Sequence, residues 1–262
     1  MIPVIRYSGS KKDLRKYVVS FFPTNCNNYY EPFCGGCSVL YTTIENNLFK
    51  NYFASDLYKP LIDTLLMVKN NPQLLLTRYT FKWYKLRQDP EYYYNVRKSF
   101  NERNNPYDFF FLSRTCMNGL MRFNPKGNFN SARHLGRDGL KPKNLTKVME
   151  DWNQKLQLVN ISCCDFEDIK TQIKGGDFVY LDPPYYIKAG FYYCKKLDVD
   201  KLIDFMKFCN LNEIKFCLSY NNDEIIPSNI YKRKITNKLV KNVFRKFQKN
   251  FTEKTDFLFL NY

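Results

Sequence analysis

Histidine is almost missing from this chain: His134 is the only one in 262 residues. A Ser-His-Asp hydrolase or a multi-histidine metal centre would have to be built on that one side chain, so most such chemistries are excluded. Also missing is any apolar run of roughly 20 residues, the length a membrane-spanning helix needs. The opening residues, Met1-Ile2-Pro3-Val4-Ile5-Arg6, have no basic segment leading into an apolar stretch and a small-residue cleavage site. An intracellular, cytoplasmic protein with reduced cysteines is therefore expected. The nine cysteines include one adjacent pair, Cys163-Cys164, and one C-x-x-C, Cys34 to Cys37, in a glycine-rich turn. A lone pair of that spacing, without a second pair, is poor material for a zinc site, and no metal is expected.

Acids are also scarce, at 25 Asp+Glu against 41 Lys+Arg, and the formal charge is +16. With 44% hydrophobic and 25% charged residues the composition is that of a folded globular protein, so the charge describes partners rather than disorder. From Arg122 to Lys147 seven bases face one acid, Asp138, and from Tyr231 to Lys254 nine face one acid, Glu253. A solvated helix face is the ordinary reading of a charge run. Here two segments carry 14 of the 16 excess charges and interleave aromatics, which points to a polyanion-binding face. The stacked aromatics Tyr92-Tyr93-Tyr94 and Phe109-Phe110-Phe111 are assigned to the core.

Short apolar runs bounded by turn residues predict strands over 28–33, 52–56, 159–164, 178–181, 214–219 and 257–260, with a weaker one over 230–235. Helical periodicity covers 12–21, 38–46, 57–69 and 199–209. This alternation predicts an α/β fold with a parallel, doubly wound sheet. The stretch from Asn70 to Asp151, rich in Tyr, Phe, Arg and Asn, breaks the rhythm and reads as a mainly helical insert.

Two strand ends carry chemistry. The first runs into Glu31-Pro32-Phe33-Cys34-Gly35-Gly36, glycines that let the backbone approach a ligand; Asp56 follows 21 residues after Gly35 at the next strand end, near the spacing of a ribose-binding acid. The full G-x-G-x-x-G is absent, so a ribose-containing cofactor fits and a dinucleotide is not specifically supported. The second is Asp182-Pro183-Pro184-Tyr185, following the apolar run Phe178 to Leu181. Prolines stop strand pairing there and project Asp182 at the sheet edge. Its carboxylate and the Pro183 carbonyl make two acceptors suited to an exocyclic NH₂, and Tyr185 offers a face for a base.

Asp182-Pro183-Pro184-Tyr185 resembles the D-P-P-Y motif of amino-group DNA methyltransferases, and Tyr30 to Val39 resembles their glycine motif for S-adenosylmethionine. The order, with the insert between the two, is that of the α group. Arg6-Tyr7-Ser8-Gly9-Ser10-Lys11 resembles the N-terminal motif, and Met117 to Asn130 the target-recognition segment, of the Dam family of D12-class DNA adenine-N6 methyltransferases. The likeness continues through Phe216 to Ser219 and Thr255 to Tyr262.

The resemblance implies a Rossmann-like class I methyltransferase sheet, mostly parallel with an antiparallel last strand. Residues 1–57 and 152–262 would form the S-adenosylmethionine-binding catalytic domain and 58–151 the inserted helical target-recognition domain. It implies that Tyr7, Lys11, Phe33, Gly35, Asp56, Phe166, Asp168 and Asp182 serve the cofactor. Asp182, Pro183, Pro184 and Tyr185 would hold the target adenine. Asn118, Arg122, Asn124, Lys126 and either Arg133 or Arg137 would meet DNA, Arg122 as a base reader. Two departures stand out: the third glycine of the family is Cys37, tolerable if its side chain points away from the cofactor, and the family's P-F-G after Asn130 is replaced by Ser131 to Arg137. The second puts a GATC-like target in question.

The implied reaction is direct methyl transfer to one adenine flipped from duplex DNA. RNA or cytosine-N4 methylation, and a non-catalytic nucleic-acid-binding relative, are the alternatives. Expected partners are double-stranded DNA and a restriction endonuclease sharing the site without a stable complex, with the enzyme a monomer or weak dimer on DNA.

Overall fold

The computed structural model describes residues 1–185, 197–245 and 248–262, with side chains described outside 238–255. In chain order the elements are α1 (Arg15–Val19), β1 (Asn28–Glu31), α2 (Ser38–Glu45), β2 (Asn51–Asp56), α3 (Lys59–Asn70), α4 (Pro72–Gln88), α5 (Tyr92–Arg103), α6 (Pro106–Thr115), α7 (Pro142–Leu156), β3 (Val159–Cys163), β4 (Phe178–Leu181), α8 (Val199–Leu211), β5 (Lys215–Tyr220), β6 (Arg233–Arg245) and β7 (Gln248–Leu260). A seven-stranded sheet has the order β3-β2-β1-β4-β5-β7-β6. The first five strands in that order pair in parallel, and β7 runs antiparallel to both β5 and β6. The expected Rossmann-like, mostly parallel sheet with an antiparallel last strand is what forms.

Side-chain alternation builds the two layers. Tyr29, Phe178, Tyr180 and Cys217 point to one face and join the cluster that includes α2, α3 and the helices α4 to α7. Tyr30, Val179, Leu181, Phe216 and Leu218 point to the other and pack with Leu202, Phe205, Met206 and Cys209 of α8. All four residues of β4 are buried, as expected of a central strand covered on both sides. Phe109, Phe110, Phe111 and Tyr93 are also buried, so the aromatic runs serve the core.

Within 70–151, a largely irregular stretch, 116–141, separates α6 from α7 and carries five of the seven bases of the first basic segment, Lys143 and Lys147 falling in α7. The N-terminal segment is tied to α6 and α7: Arg114 donates to the carbonyls of Pro3 and Val4, and the Trp152 indole donates to that of Ile2 at 2.9 Å.

Two boundaries differ from the sequence reading. The first helix is Arg15–Val19 rather than 12–21, because Lys11 to Leu14 form a turn, with the Leu14 N–H bonded to the Lys11 carbonyl at 2.9 Å. The last two strands have 13 residues each rather than four to six. Their outer parts pair only with each other, because β7 meets β5 over Phe257 to Leu260 alone. A ribbon rich in Lys and Asn has no apolar alternation to reveal it.

Candidate active site

Strand β1 ends at Glu31 because Pro32 has no N–H to continue the ladder. The turn that follows is shaped by Gly35, whose φ of +47° lies in the left-handed region. A Cβ there would stand 3.1 Å from the Tyr7 ring, so glycine is required both by conformation and by the close approach of Tyr7. Asp56, at the end of β2, accepts from the Gly35 amide at 3.1 Å and from the Tyr58 amide at 3.0 Å. Burial pushes its carboxyl up to about 6, opposed by the bonds from the Tyr58 and Gly35 amides. Cys37 also has positive φ, at 54°, but its side chain is buried in the hydrophobic cluster rather than facing the turn's outer surface. Beneath the turn, Glu31 is buried and receives the Tyr29 hydroxyl at 2.5 Å. Burial raises its carboxyl to about 8, so it is largely protonated at neutral pH.

Strand β4 ends in the same region, one strand over from β1, and delivers Asp182. The Lys11 ammonium donates to Asp182 Oδ1 at 2.6 Å and lies 4.4 Å from the centroid of the Tyr185 ring. The Lys11 side chain is 7% exposed and that of Asp182 16%. Burial pushes the Asp182 carboxyl upward and the Lys11 charge opposes it. For Lys11, burial works downward, but the Asp182 carboxylate overrides it and holds the ammonium above its ordinary range. The Tyr185 hydroxyl is 3.3 Å from Ser219 Oγ on β5, and its ring meets Tyr220 edge to face with centroids 5.9 Å apart. Ser219 had only the resemblance to mark it; its role becomes visible once β5 lies beside β4.

At the other end of this edge, the Phe33 and Phe166 rings lie 5.1 Å apart. Asp168 is exposed nearby in sequence and uses one oxygen to accept from the Asp165 amide at 2.9 Å. The structure thus collects Tyr7, Gly35 and Asp56 at the glycine turn, Phe33 against Phe166, and Lys11, Asp182 and Tyr185 at the end of β4. Pro183 is buried and Pro184 exposed, which fixes the turn between Asp182 and Tyr185.

The recognition segment is two irregular arms pinned together. Ser131 Oγ donates to the Leu120 carbonyl at 2.7 Å and accepts from the Arg122 amide at 2.9 Å. The Asn130 amide bonds the Arg122 carbonyl, and Phe123 and Phe129 form a bridge. Arg122, Lys126 and Asn118 are exposed. Asn124 is used internally: its Oδ1 accepts from the Lys126 and Asn128 amides, both at 3.0 Å, closing the loop between the arms. Arg133 is also engaged, with Asp138 at 3.3 Å, whereas Arg137 is exposed. The segment touches the N-terminal motif through the Met121 amide, which donates to Ser8 Oγ at 2.9 Å.

Cys34 and Cys37 are buried free thiols; Cys37 beside it, together with burial, holds the Cys34 thiol well above its ordinary range. No group of three or more His, Cys, Asp or Glu side chains able to hold a metal occurs among the described residues. No helix among them is long and apolar enough to cross a membrane.

The sequence model of the D12 class of N6 adenine-specific DNA methyltransferases matches residues 7–259. Type II methyltransferase M.MjaIII of Methanocaldococcus jannaschii is 32% identical over 202 residues, covering 70% of this chain and 68% of that protein. Type II methyltransferase M.CviBI of Paramecium bursaria Chlorella virus NC1A is 30% identical over 189 residues, with 71% and 69% covered. The DNA adenine methylase of Haemophilus influenzae is 28% identical over 188 residues, with 70% and 63% covered.

Proposed function

The chain belongs to the D12 class of N6 adenine-specific DNA methyltransferases, and we propose that it methylates the N6 amine of one adenine flipped out of duplex DNA at a specific site. The observation that carries this reading is the end of β4, where Asp182 and Tyr185 project side by side from a proline turn beside the glycine turn of β1.

The residues present fit S-adenosylmethionine. Each Asp56 oxygen accepts one backbone N–H and keeps a lone pair for a ribose hydroxyl, Phe33 and Phe166 offer an aromatic wall, and Asp168 keeps one oxygen for an amine. Tyr7 and Gly35 shape the turn. Bound there, S-adenosylmethionine supplies an electrophilic methyl group.

The protein's part is orientation and proton handling. The adenine amine is a poor nucleophile because its lone pair is delocalised into the ring. Hydrogen bonds from the NH₂ to Asp182 and the Pro183 carbonyl localise that pair and aim it, a positioning effect rather than covalent catalysis. Asp182 then receives the surplus proton and passes it to solvent. Flipping costs a few kcal/mol of unstacking, and stacking on Tyr185 returns about 1–3 kcal/mol of it.

Residues 58–151 act as the target-recognition insert on a catalytic unit of 1–57 and 152–262. Arg122, exposed on the pinned arms, reads a guanine, with Asn118, Lys126 and Arg137 beside it on the DNA face. Arg133, held by Asp138, supports the loop. Seven of the nine bases of the second basic segment fall in β6 and β7, Lys246 lying outside the described residues, and the segment adds backbone attraction.

The test is methyl transfer from labelled S-adenosylmethionine to duplex DNA, single-stranded DNA and RNA, followed by digestion to nucleosides. N6-methyladenine from duplex DNA is expected; label in N4-methylcytosine, or in RNA alone, would overturn the reading. Strand-resolved sequencing of the modified DNA identifies the site.

A further inference from the structure

We propose that Lys11 is a stand-in for the target base: its ammonium fills the subsite that receives the adenine N6 amine and must leave as the base enters. This rests on the adenine-methylation reading above. Three groups define the amine subsite: the acceptors on Asp182 and the Pro183 carbonyl, and the face of Tyr185. Lys11 engages two of them, with its N–H donated to Asp182 Oδ1 at 2.6 Å and its charge 4.4 Å from the ring centroid. An ammonium and an exocyclic amine present the same chemistry to a carboxylate, N–H donors on a compact nitrogen. They cannot share the place, because a nitrogen 4.4 Å from the ring centroid lies in the layer that a base stacked on Tyr185 would occupy.

Electrostatics gives the departure a purpose. While Lys11 is paired, its charge opposes the upward push that burial gives the Asp182 carboxyl. Methyl transfer puts positive charge on the adenine amine, and a lysine charge left at that position would oppose it strongly in a poorly solvated site. Withdrawal of Lys11 leaves the Asp182 carboxylate to attract the developing charge instead. The segment that carries Lys11 is also bonded to the recognition arms: Ser8 accepts from the Met121 amide at 2.9 Å, and a Cβ on Gly119 would stand 3.1 Å from Arg6 Cδ. DNA seated on the arms therefore acts on the same short stretch of chain that holds the stand-in.

The experiment uses the full chain and 2′-deoxyadenosine as the probe. Lys11 reactivity is measured by reductive dimethylation and peptide mass spectrometry, with and without saturating nucleoside. Labelling of Lys11 is expected to rise several-fold when the nucleoside binds; unchanged or reduced labelling overturns the proposal. In equilibrium dialysis, Lys11→Met is expected to bind 2′-deoxyadenosine about tenfold more tightly than wild type, and Lys11→Arg, which keeps a cation at Asp182, to stay within about twofold of it. A Lys11→Met that loses S-adenosylmethionine binding with no gain for the nucleoside would show that the lysine serves the methyl donor, and overturns the proposal. Wild-type protein that makes no N6-methyladenine refutes the underlying activity, whereas N6-methyladenine with an unresponsive Lys11 refutes this proposal alone.

Discussion

Ser131 holds Arg122 by its backbone: the Arg122 amide donates to Ser131 Oγ at 2.9 Å while the same hydroxyl donates to the Leu120 carbonyl. The Ser131 hydroxyl thereby joins the two recognition arms. Ser131→Ala leaves an amide and a carbonyl unpaired, at a cost of about 1–3 kcal/mol. The expected outcome is lower stability in chemical denaturation, with discrimination between cognate and singly altered sites reduced. Arg122→Ala is expected to lose about 1–3 kcal/mol of discrimination at one base pair only. Equal weakening on every sequence would make Arg122 a phosphate contact.

Asp182→Ala removes the acceptor at the end of β4. Methyl transfer is expected to fall below detection, while affinity for duplex DNA, measured by fluorescence anisotropy, stays within a few-fold of wild type. Activity close to wild type would remove Asp182 from the reaction.

Gly35→Ala combines a positive φ with a Cβ 3.1 Å from the Tyr7 ring. The conformational penalty alone is about 1–2 kcal/mol. Thermal denaturation is expected to show that loss, and titration calorimetry weaker binding of S-adenosylmethionine, because Tyr7 and the Asp56-bonded amide are both displaced.

Glu31 gives a pH signature of definite sign. Burial raises its carboxyl from 4.5 to about 8, so between those values the folded protein holds a proton that the unfolded chain has released. Its contribution to stability is present in full below pH 4.5 and declines as pH rises through 8, by up to about 1.4 kcal/mol per unit. Glu31→Gln, which keeps a neutral side chain in the same space, is expected to flatten that slope in denaturation measured from pH 5 to pH 8. An unchanged slope would place the titrating group elsewhere.

The strand ends that carry the site were legible because their signals are local. Apolar runs fix β1, β2 and β4, prolines stop two of them, and Asp56 and Asp182 follow directly. The lengths of β6 and β7 were not legible, since their outer halves pair with each other through Lys- and Asn-rich sequence. Nor was the division of labour among the polar candidates. Asn124 is spent on closing a loop and Arg133 on Asp138, and nothing in residue type separates them from the exposed Arg122 and Arg137.

The sequence by itself determined the alternation of strands and helices and the acids at the ends of β2 and β4, because periodicity and backbone breakers act over a few residues, and the order of its motifs marked the family it resembles. Only the tertiary structure decided which groups meet. Lys11 and Asp182 lie 171 positions apart, and their pairing depends on β4 lying next to β1 with the N-terminal segment reaching both the Gly35 turn and the end of β4. Such contacts are set by packing and burial of charge, which no local pattern encodes.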